Sequence, residues 1–259
     1  MGPAPRTLPR VSTAAVPVRP RRLILWDIDG TLLTSGPIGR EAFFAGAAEV
    51  LGRKLSQLAG EEDGPGGVRM SGRTDPLIAL DILERAGVPE PEARRLLPDV
   101  LAALARHLTT GIERIRAEGQ VHPGVVEVLE RLDAEPEVVQ TVLTGNLAVN
   151  ARAKVEAFGL ERFLDLDVGA YGSDEAHRDR LVPVAQARVR DRYGHAPAPG
   201  ETWIVGDTAL DLACAKAAGA RCLLVATGRI ELRELEPLDA DGVFANLSDV
   251  ESVAALLAG

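Results

Sequence analysis

Few aromatic residues, two cysteines, three lysines and no long apolar run are the first features of this 259-residue chain. Each scarcity excludes something. At 3% aromatic content, the stacking platforms that bind single-stranded nucleic acid have little material, and any core must rest on Ala, Leu and Val. Positive charge is also in deficit. The formal net charge is −9, which is unsuited to the basic surfaces that hold phosphate backbones, so nucleic acid is not an expected partner. Cys214 and Cys222 cannot make a disulfide framework and read as buried thiols of a protein in the reducing cytoplasm. No apolar stretch reaches the roughly 18 residues of a membrane span, so no membrane association is expected. Lysine occurs only at positions 54, 154 and 216, whereas arginine is abundant. Residues 1–22 carry five prolines among five arginines without a continuous apolar segment and read as a disordered tail.

What is present is a strong rhythm. With 46% hydrophobic and 26% charged residues, a chain of this length can bury roughly three quarters of its unfolded surface. Short apolar runs at 23–26, 138–143, 163–168, 202–205 and 222–225, with a weaker one at Val243 and Phe244, alternate with amphipathic stretches. Those stretches cover 124–132, 150–158, 182–193, 210–218 and 250–257. The alternation predicts an α/β fold, a doubly wound parallel sheet covered by helices. Between residues 34 and 118 the rhythm breaks, because 38–51, 75–86 and 91–118 read as helices with no strand among them. The expectation is a core of residues 23–33 and 119–259, interrupted by an all-helical insert of residues 34–118. A glycine- and acid-rich loop is expected at 60–67 within it.

Three apolar runs end in polar residues suited to chemistry. The first ends in Asp27-Ile28-Asp29-Gly30-Thr31, and another in Gly206-Asp207, with Asp211 one helical turn further on. Ligands of open α/β sheets bind beyond the carboxyl ends of the strands, so these acids should converge on one crevice. Clustered carboxylates repel one another. A hard divalent cation relieves the repulsion, and Mg²⁺ suits a few carboxylates plus water and a phosphate oxygen. A third run ends in Thr144-Gly145-Asn146, a set of neutral donors for a phosphoryl oxygen. Taken singly, such residues serve turns and helix caps; the coincidence of three strand ends favours the functional reading.

The run Asp27-Ile28-Asp29-Gly30-Thr31-Leu32, the strand-terminal Thr144, and Gly206-Asp207-Thr208-Ala209-Leu210-Asp211 resemble, in order and spacing, three of the four motifs of the haloacid dehalogenase-like hydrolase superfamily. His122-Pro123-Gly124 and Val225-Ala226-Thr227-Gly228 look like its phosphoglycolate phosphatase-like branch, whose helical cap sits where the insert does. The resemblance implies a Rossmann-like core and Mg²⁺-dependent hydrolysis of a small phosphorylated metabolite through an aspartyl phosphate. It makes Asp27 the nucleophile and Asp29 the general acid and base. Thr144 would hold the phosphoryl group, with Gly145 and Asn146 beside it. The metal would be held by the Asp27 carboxylate, the Asp29 backbone carbonyl and the Asp207 carboxylate, with Asp211 in support. The family's fourth motif is usually a lysine, and no lysine lies between positions 154 and 216. Arg178, three residues before Leu181 at the apparent helix start, is expected to replace it, and Arg180 is the second candidate.

Other chemistries fit less well. Dehalogenases of the superfamily typically lack an acid at the position of Asp29. Phosphonate cleavage needs a cap lysine, and Lys54, the one lysine of the insert, stands in no marked context. A sugar phosphomutase uses the same two aspartates and is the enzyme alternative. A receiver-like module that stores an aspartyl phosphate is the alternative of another class, though such modules are shorter and need no insert. Within the insert, Thr74 or Asp75 is expected to cap a helix, and Arg73 to reach the leaving group when the cap closes. His107, His122, His177 and His195 lack ligand-like spacing and are expected to be surface or core residues. Neither substrate identity nor oligomeric state is legible.

Overall fold

A computed structural model describes residues 19–55, 58 and 67–259. Residues 1–18 of the expected tail, and all but Gly67 of the expected 60–67 loop, lie outside the described residues. The strands are β1 (Arg22–Trp26), β2 (Leu33–Thr34), β3 (Gln120–Val121), β4 (Val138–Thr144), β5 (Ala170–Tyr171), β6 (Thr202–Gly206), β7 (Arg221–Val225) and β8 (Gly242–Phe244). The helices are α1 (Ile38–Leu51), α2 (Asp75–Arg85), α3 (Glu90–Thr110), α4 (Ile112–Glu118), α5 (Val125–Asp133), α6 (Ala148–Ala157), α7 (Leu181–Tyr193), α8 (Ala209–Ala218), α9 (Leu232–Leu235) and α10 (Val250–Ala258).

Six strands make one sheet of order β5-β4-β1-β6-β7-β8, and every neighbouring pair is parallel. This is the α/β architecture that the alternating pattern predicts. β1 lies at the centre, and Leu23, Ile24, Leu25 and Trp26 are fully buried, which is why its sequence is continuously apolar rather than alternating. Its side chains still divide by period two. Ile24 and Trp26 join the core on the α5 and α10 face, whereas Leu23 and Leu25 join Val182, Ala185 and Ala215 on the α7 and α8 face.

The insert leaves and rejoins the sheet through the antiparallel ribbon of β2 and β3, with Leu33 opposite Val121. Its helices bury a separate cluster that includes Phe43, Ile78, Ile82, Leu83, Leu104 and Leu108. Among the described residues, no helix is long and apolar enough to cross a membrane.

Three expectations are corrected. The run 163–168 is not a strand: residues 161–163 form a 3₁₀ turn and the edge strand is β5, paired with Leu143 and Thr144 of β4. Asp165 and Asp167 break that run, the first going to Tyr193 at 2.7 Å and the second to Arg152 at 2.7 Å. The helix expected at 91–118 breaks at Gly111, whose N–H caps α3 on the His107 carbonyl. The sheet begins one residue early, at Arg22. Arg21 and Arg22 both donate from the backbone to the Glu137 carbonyl, which pins the end of the expected tail.

Candidate active site

Parallel pairing of β1 and β6, with Trp26 opposite Val205, brings the residues that follow these strands side by side. Asp27 donates its N–H to the Val205 carbonyl at 2.9 Å. Gly30 turns the chain there at φ +87°. Any side chain at Gly30 would be strained and would sit 2.5 Å from Asp207 Oδ2, so glycine lets the turn close against that carboxylate. Asp211 lies in the first turn of α8, where it accepts from the Thr208 N–H at 3.0 Å and hydroxyl at 2.6 Å.

Carboxylate oxygens of Asp27, Asp207 and Asp211 all lie within 4.8 Å of one another and are buried. Burial, reinforced by the charges of Asp211 and Asp27, pushes the Asp207 carboxyl up to about 8. Burial also lifts Asp27 to about 6, even though Arg178 pulls in the other direction. Thr31 Oγ1 donates to Asp207 Oδ1 at 3.4 Å. Crowded, buried carboxylates are a donor set that fits a hard divalent cation such as Mg²⁺.

Arg178 is in place beside them. Its Nη2 is 3.0 Å from Asp27 Oδ2 and also pairs with Asp211 Oδ1, while Nη1 donates to the Gly72 carbonyl of the insert at 3.3 Å. Burial opposes its charge, but Asp211 and Asp27 outweigh that, so the guanidinium stays protonated. Its Nε has no partner. Arg180 is not brought to the site: its side chain is 66% exposed, against 8% for Arg178, and lies 3.9 Å from Glu175. The two share a 3₁₀ turn, in which residues two apart face different directions.

Asp29 has the opposite surroundings. It accepts from Ser35 Oγ at 2.9 Å, Asn146 Nδ2 at 2.8 Å and Lys154 Nζ at 2.6 Å. Burial raises its pKa, but the Lys154 charge and these three hydrogen bonds overcome burial and hold the carboxyl below its ordinary value. Asn146 is therefore committed, since Nδ2 also donates to Thr144 Oγ1 at 2.8 Å and Oδ1 accepts from Lys154 at 2.7 Å. The expected free amide for a phosphoryl oxygen is instead part of the clamp on Asp29. Thr144 is fully buried at the end of β4 and lines the cavity.

The insert meets the sheet at Gly145, whose carbonyl accepts from the Asp75 N–H at 2.7 Å. A side chain at Gly145 would collide with the Arg73 carbonyl, so glycine is what permits this approach. Asp75 does not cap α2. Its carboxylate crosses to the Leu147 N–H at 2.8 Å and Asn150 Nδ2 at 3.2 Å, and burial lifts it to about 6. Thr74 holds the cap position but gives its hydroxyl to the Ala176 carbonyl at 2.7 Å. Arg73 lines the cavity, yet its guanidinium is engaged by Asp81 at 2.9 Å and by the carbonyls of Arg69 and Leu77. In this structure its guanidinium is thus held by partners of the insert itself.

These residues surround a cavity of about 740 Å³ lined jointly by the sheet's carboxyl end and the insert. Sequence reasoning missed two of its walls. Asn150 and Lys154 stand four apart on α6 and both line it; a lysine in an arginine-dominated chain, eight residues after Asn146, was the available signal. His122, expected in the core or on the surface, also lines it.

The sequence pattern of the haloacid dehalogenase-like hydrolases matches residues 24–216. A curated relative, "Probable phosphatase IndB" of Dickeya dadantii (strain 3937), is 28% identical over 238 residues, covering 90% of this chain and 93% of its own. Among solved structures, a HAD hydrolase of family IA, variant 3, from Entamoeba histolytica shares the fold with a TM-score of 0.65 at 17% identity, covering 92% of this chain and 100% of its own. CbbY from Rhodobacter sphaeroides, solved in complex with phosphate, superposes with a TM-score of 0.60 at 20% identity, over 88% of this chain and 96% of its own. With the matched pattern spanning most of the chain and the strand-end acids gathered in one cavity, this protein belongs to the haloacid dehalogenase-like hydrolase family.

Proposed function

We propose that this protein is a cytoplasmic, Mg²⁺-dependent phosphatase that hydrolyses a small phosphorylated metabolite through an aspartyl phosphate on Asp27. The observation that carries the reading is the gathering of Asp27 with a buried cation and two buried acids. Arg178 stands 3.0 Å from Asp27 and pairs with Asp211 as well, and carboxylate oxygens of Asp27, Asp207 and Asp211 lie within 4.8 Å of one another. Similarity to a phosphatase-named relative and to a phosphate-bound structure supports it.

In the first half of the cycle an Asp27 carboxylate oxygen attacks phosphorus in line. The bond from phosphorus to the ester oxygen breaks, and the departing oxygen takes a proton from Asp29. Arg178 holds the phosphoryl oxygens through its forked donors and stabilises the charge that builds on them, with Thr144 on the same wall. In the second half Asp29, ionised again, takes a proton from water as the water attacks phosphorus, which frees inorganic phosphate and restores Asp27. Mg²⁺, held by the Asp27 and Asp207 carboxylates and the Asp29 backbone carbonyl with Asp211 behind them, would supply the positive charge that lets a dianionic ester approach these acids. Asp29 rests ionised against Lys154, so its acid role requires the ester's negative charge to offset that lysine and raise its proton affinity.

The test is phosphate release from a panel of phosphomonoesters with and without Mg²⁺. Turnover that depends on Mg²⁺ is expected; absence of turnover across the panel, or turnover unaffected by chelation, would contradict the proposal.

A further inference from the structure

Helix α6 has no cap of its own. Leu147 stands at its N-cap position with an aliphatic side chain that cannot accept, so the first N–H groups of the helix take acceptors from segments remote in sequence. Ser173 Oγ receives the Ala148 N–H at 3.2 Å. Asp75, from the insert, receives the Leu147 N–H at 2.8 Å and Asn150 Nδ2 at 3.2 Å on Oδ2, where the positive end of the helix favours an anion. The Asp75 N–H holds the Gly145 carbonyl at 2.7 Å. One buried residue thus grips the backbone on both sides of Asn146 together with the first turn of α6. Asn146, and Lys154 one turn beyond Asn150, supply two of the three side-chain hydrogen bonds that Asp29 accepts among the described residues.

We propose, on the basis of the phosphatase reading above, that Asp75 is a positioning residue of the reaction: its hydrogen bonds to Gly145, Leu147 and Asn150 set Asn146 and Lys154 against Asp29. Asp75 acts through the loop and the helix and moves no proton itself. Thr74 and Gly72 also tie the insert to the sheet side, through the Ala176 carbonyl at 2.7 Å and Arg178 Nη1 at 3.3 Å, but neither tie runs through a donor to Asp29. The hydrogen bonds can be separated from the charge. In Asp75→Asn the amide oxygen can still receive the Leu147 N–H, and the amide nitrogen can donate to Asn150 Oδ1, an atom without a partner, once the Asn150 amide turns over. Asp75→Ala removes the side-chain bonds altogether.

Lysine occurs only at positions 54, 154 and 216, so NMR of protein labelled with ¹³C at the lysine ε-carbons gives one signal for each, and the Lys154 signal is assigned by its loss in Lys154→Met. At pH 8, where Asp75, lifted to about 6, is ionised, Asp75→Ala should move the Lys154 signal toward those of the exposed Lys54 and Lys216 and leave theirs in place. Asp75→Asn and Thr74→Val should move it by less than a third as much. On a phosphomonoester that the wild-type protein hydrolyses with Mg²⁺, Asp75→Ala should lower kcat at least tenfold and change KM less than threefold, whereas Asp75→Asn should keep at least a third of kcat. A direct contact between Asp75 and substrate would show in KM instead. If Asp75→Ala does not fold, Asp75→Ser, whose hydroxyl is one bond short of Oδ2, takes its place. The NMR arm needs no turnover: if no ester is hydrolysed but Asp75→Ala alone moves the Lys154 signal, the phosphatase reading fails and the positioning of Lys154 by Asp75 stands. A Lys154 signal unmoved in Asp75→Ala, an equal displacement in Asp75→Asn or Thr74→Val, or a kcat unchanged in Asp75→Ala overturns the proposal.

Discussion

Asp27 and Asp29 leave the same strand two residues apart and enter opposite electrostatic surroundings. On the Asp27 side, three carboxylates crowd within 4.8 Å, and although Arg178 pairs with two of them, burial lifts Asp27 to about 6 and Asp207 to about 8. On the Asp29 side, Lys154, Asn146 and Ser35 all donate to a single carboxylate, whose pKa falls despite burial. One wall is short of positive charge and the other is supplied with it. In the proposed function, the deficit is where a cation and a phosphoryl group would enter. The surplus holds in place the carboxylate to which the proposed function gives the proton transfers.

The most severe way to break this contrast is to remove the acid at its centre. Asp27→Asn should lower phosphate release by about ten-thousandfold or more, with no loss of thermal stability, since it deletes a repelled carboxylate. Arg178→Ala comes next. It strands Asp27 and Asp211 without their cation, which should cost about 3–5 kcal/mol of stability and about a hundredfold in kcat/KM. Arg180→Ala, on an exposed side chain, should change kcat/KM less than twofold. Denaturant melts and steady-state kinetics on the pair read the difference directly.

Lys154→Met sharpens the other wall. With its strongest partner gone, Asp29 should titrate higher, so the acidic limb of the pH–rate profile should move toward neutrality, with kcat reduced about tenfold. An unmoved limb would remove Lys154 from the account. The smallest effect concerns stability. In metal-free protein, Asp207 binds its proton more tightly folded than unfolded, so its own contribution to stability is fully present at acid pH and is lost as pH rises from the ordinary carboxylate range through about 8. Mg²⁺ should therefore raise Tm by several degrees at pH 8 and by little at pH 5. A thermal shift that is larger at pH 5 would reverse the assignment.

Much of this was legible in the residue order. Apolar runs marked β1, β4, β6 and β7 because strands buried on both faces need no polar alternation, and the acids after β1 and β6 follow from where such sheets bind ligands. Arg178 could be named from its position before α7. The edge strand could not: β5 is two residues long, and the longer apolar run before it packs irregularly between Asp165 and Asp167. The roles of Asn146 and Asp75 were also beyond reach, because each depends on a partner across the boundary between insert and sheet or on a neighbouring helix. Thr-Gly-Asn reads as a loop of free donors until Lys154, on the next helix, is seen to claim the amide oxygen.

The most direct test of the account is acid-quench trapping of the phosphorylated protein during turnover, followed by peptide mapping. Phosphate on Asp27, formed only with Mg²⁺ and absent from Asp27→Asn, is the predicted result. Full turnover by Asp27→Asn, or phosphate mapped to any other residue, would contradict it.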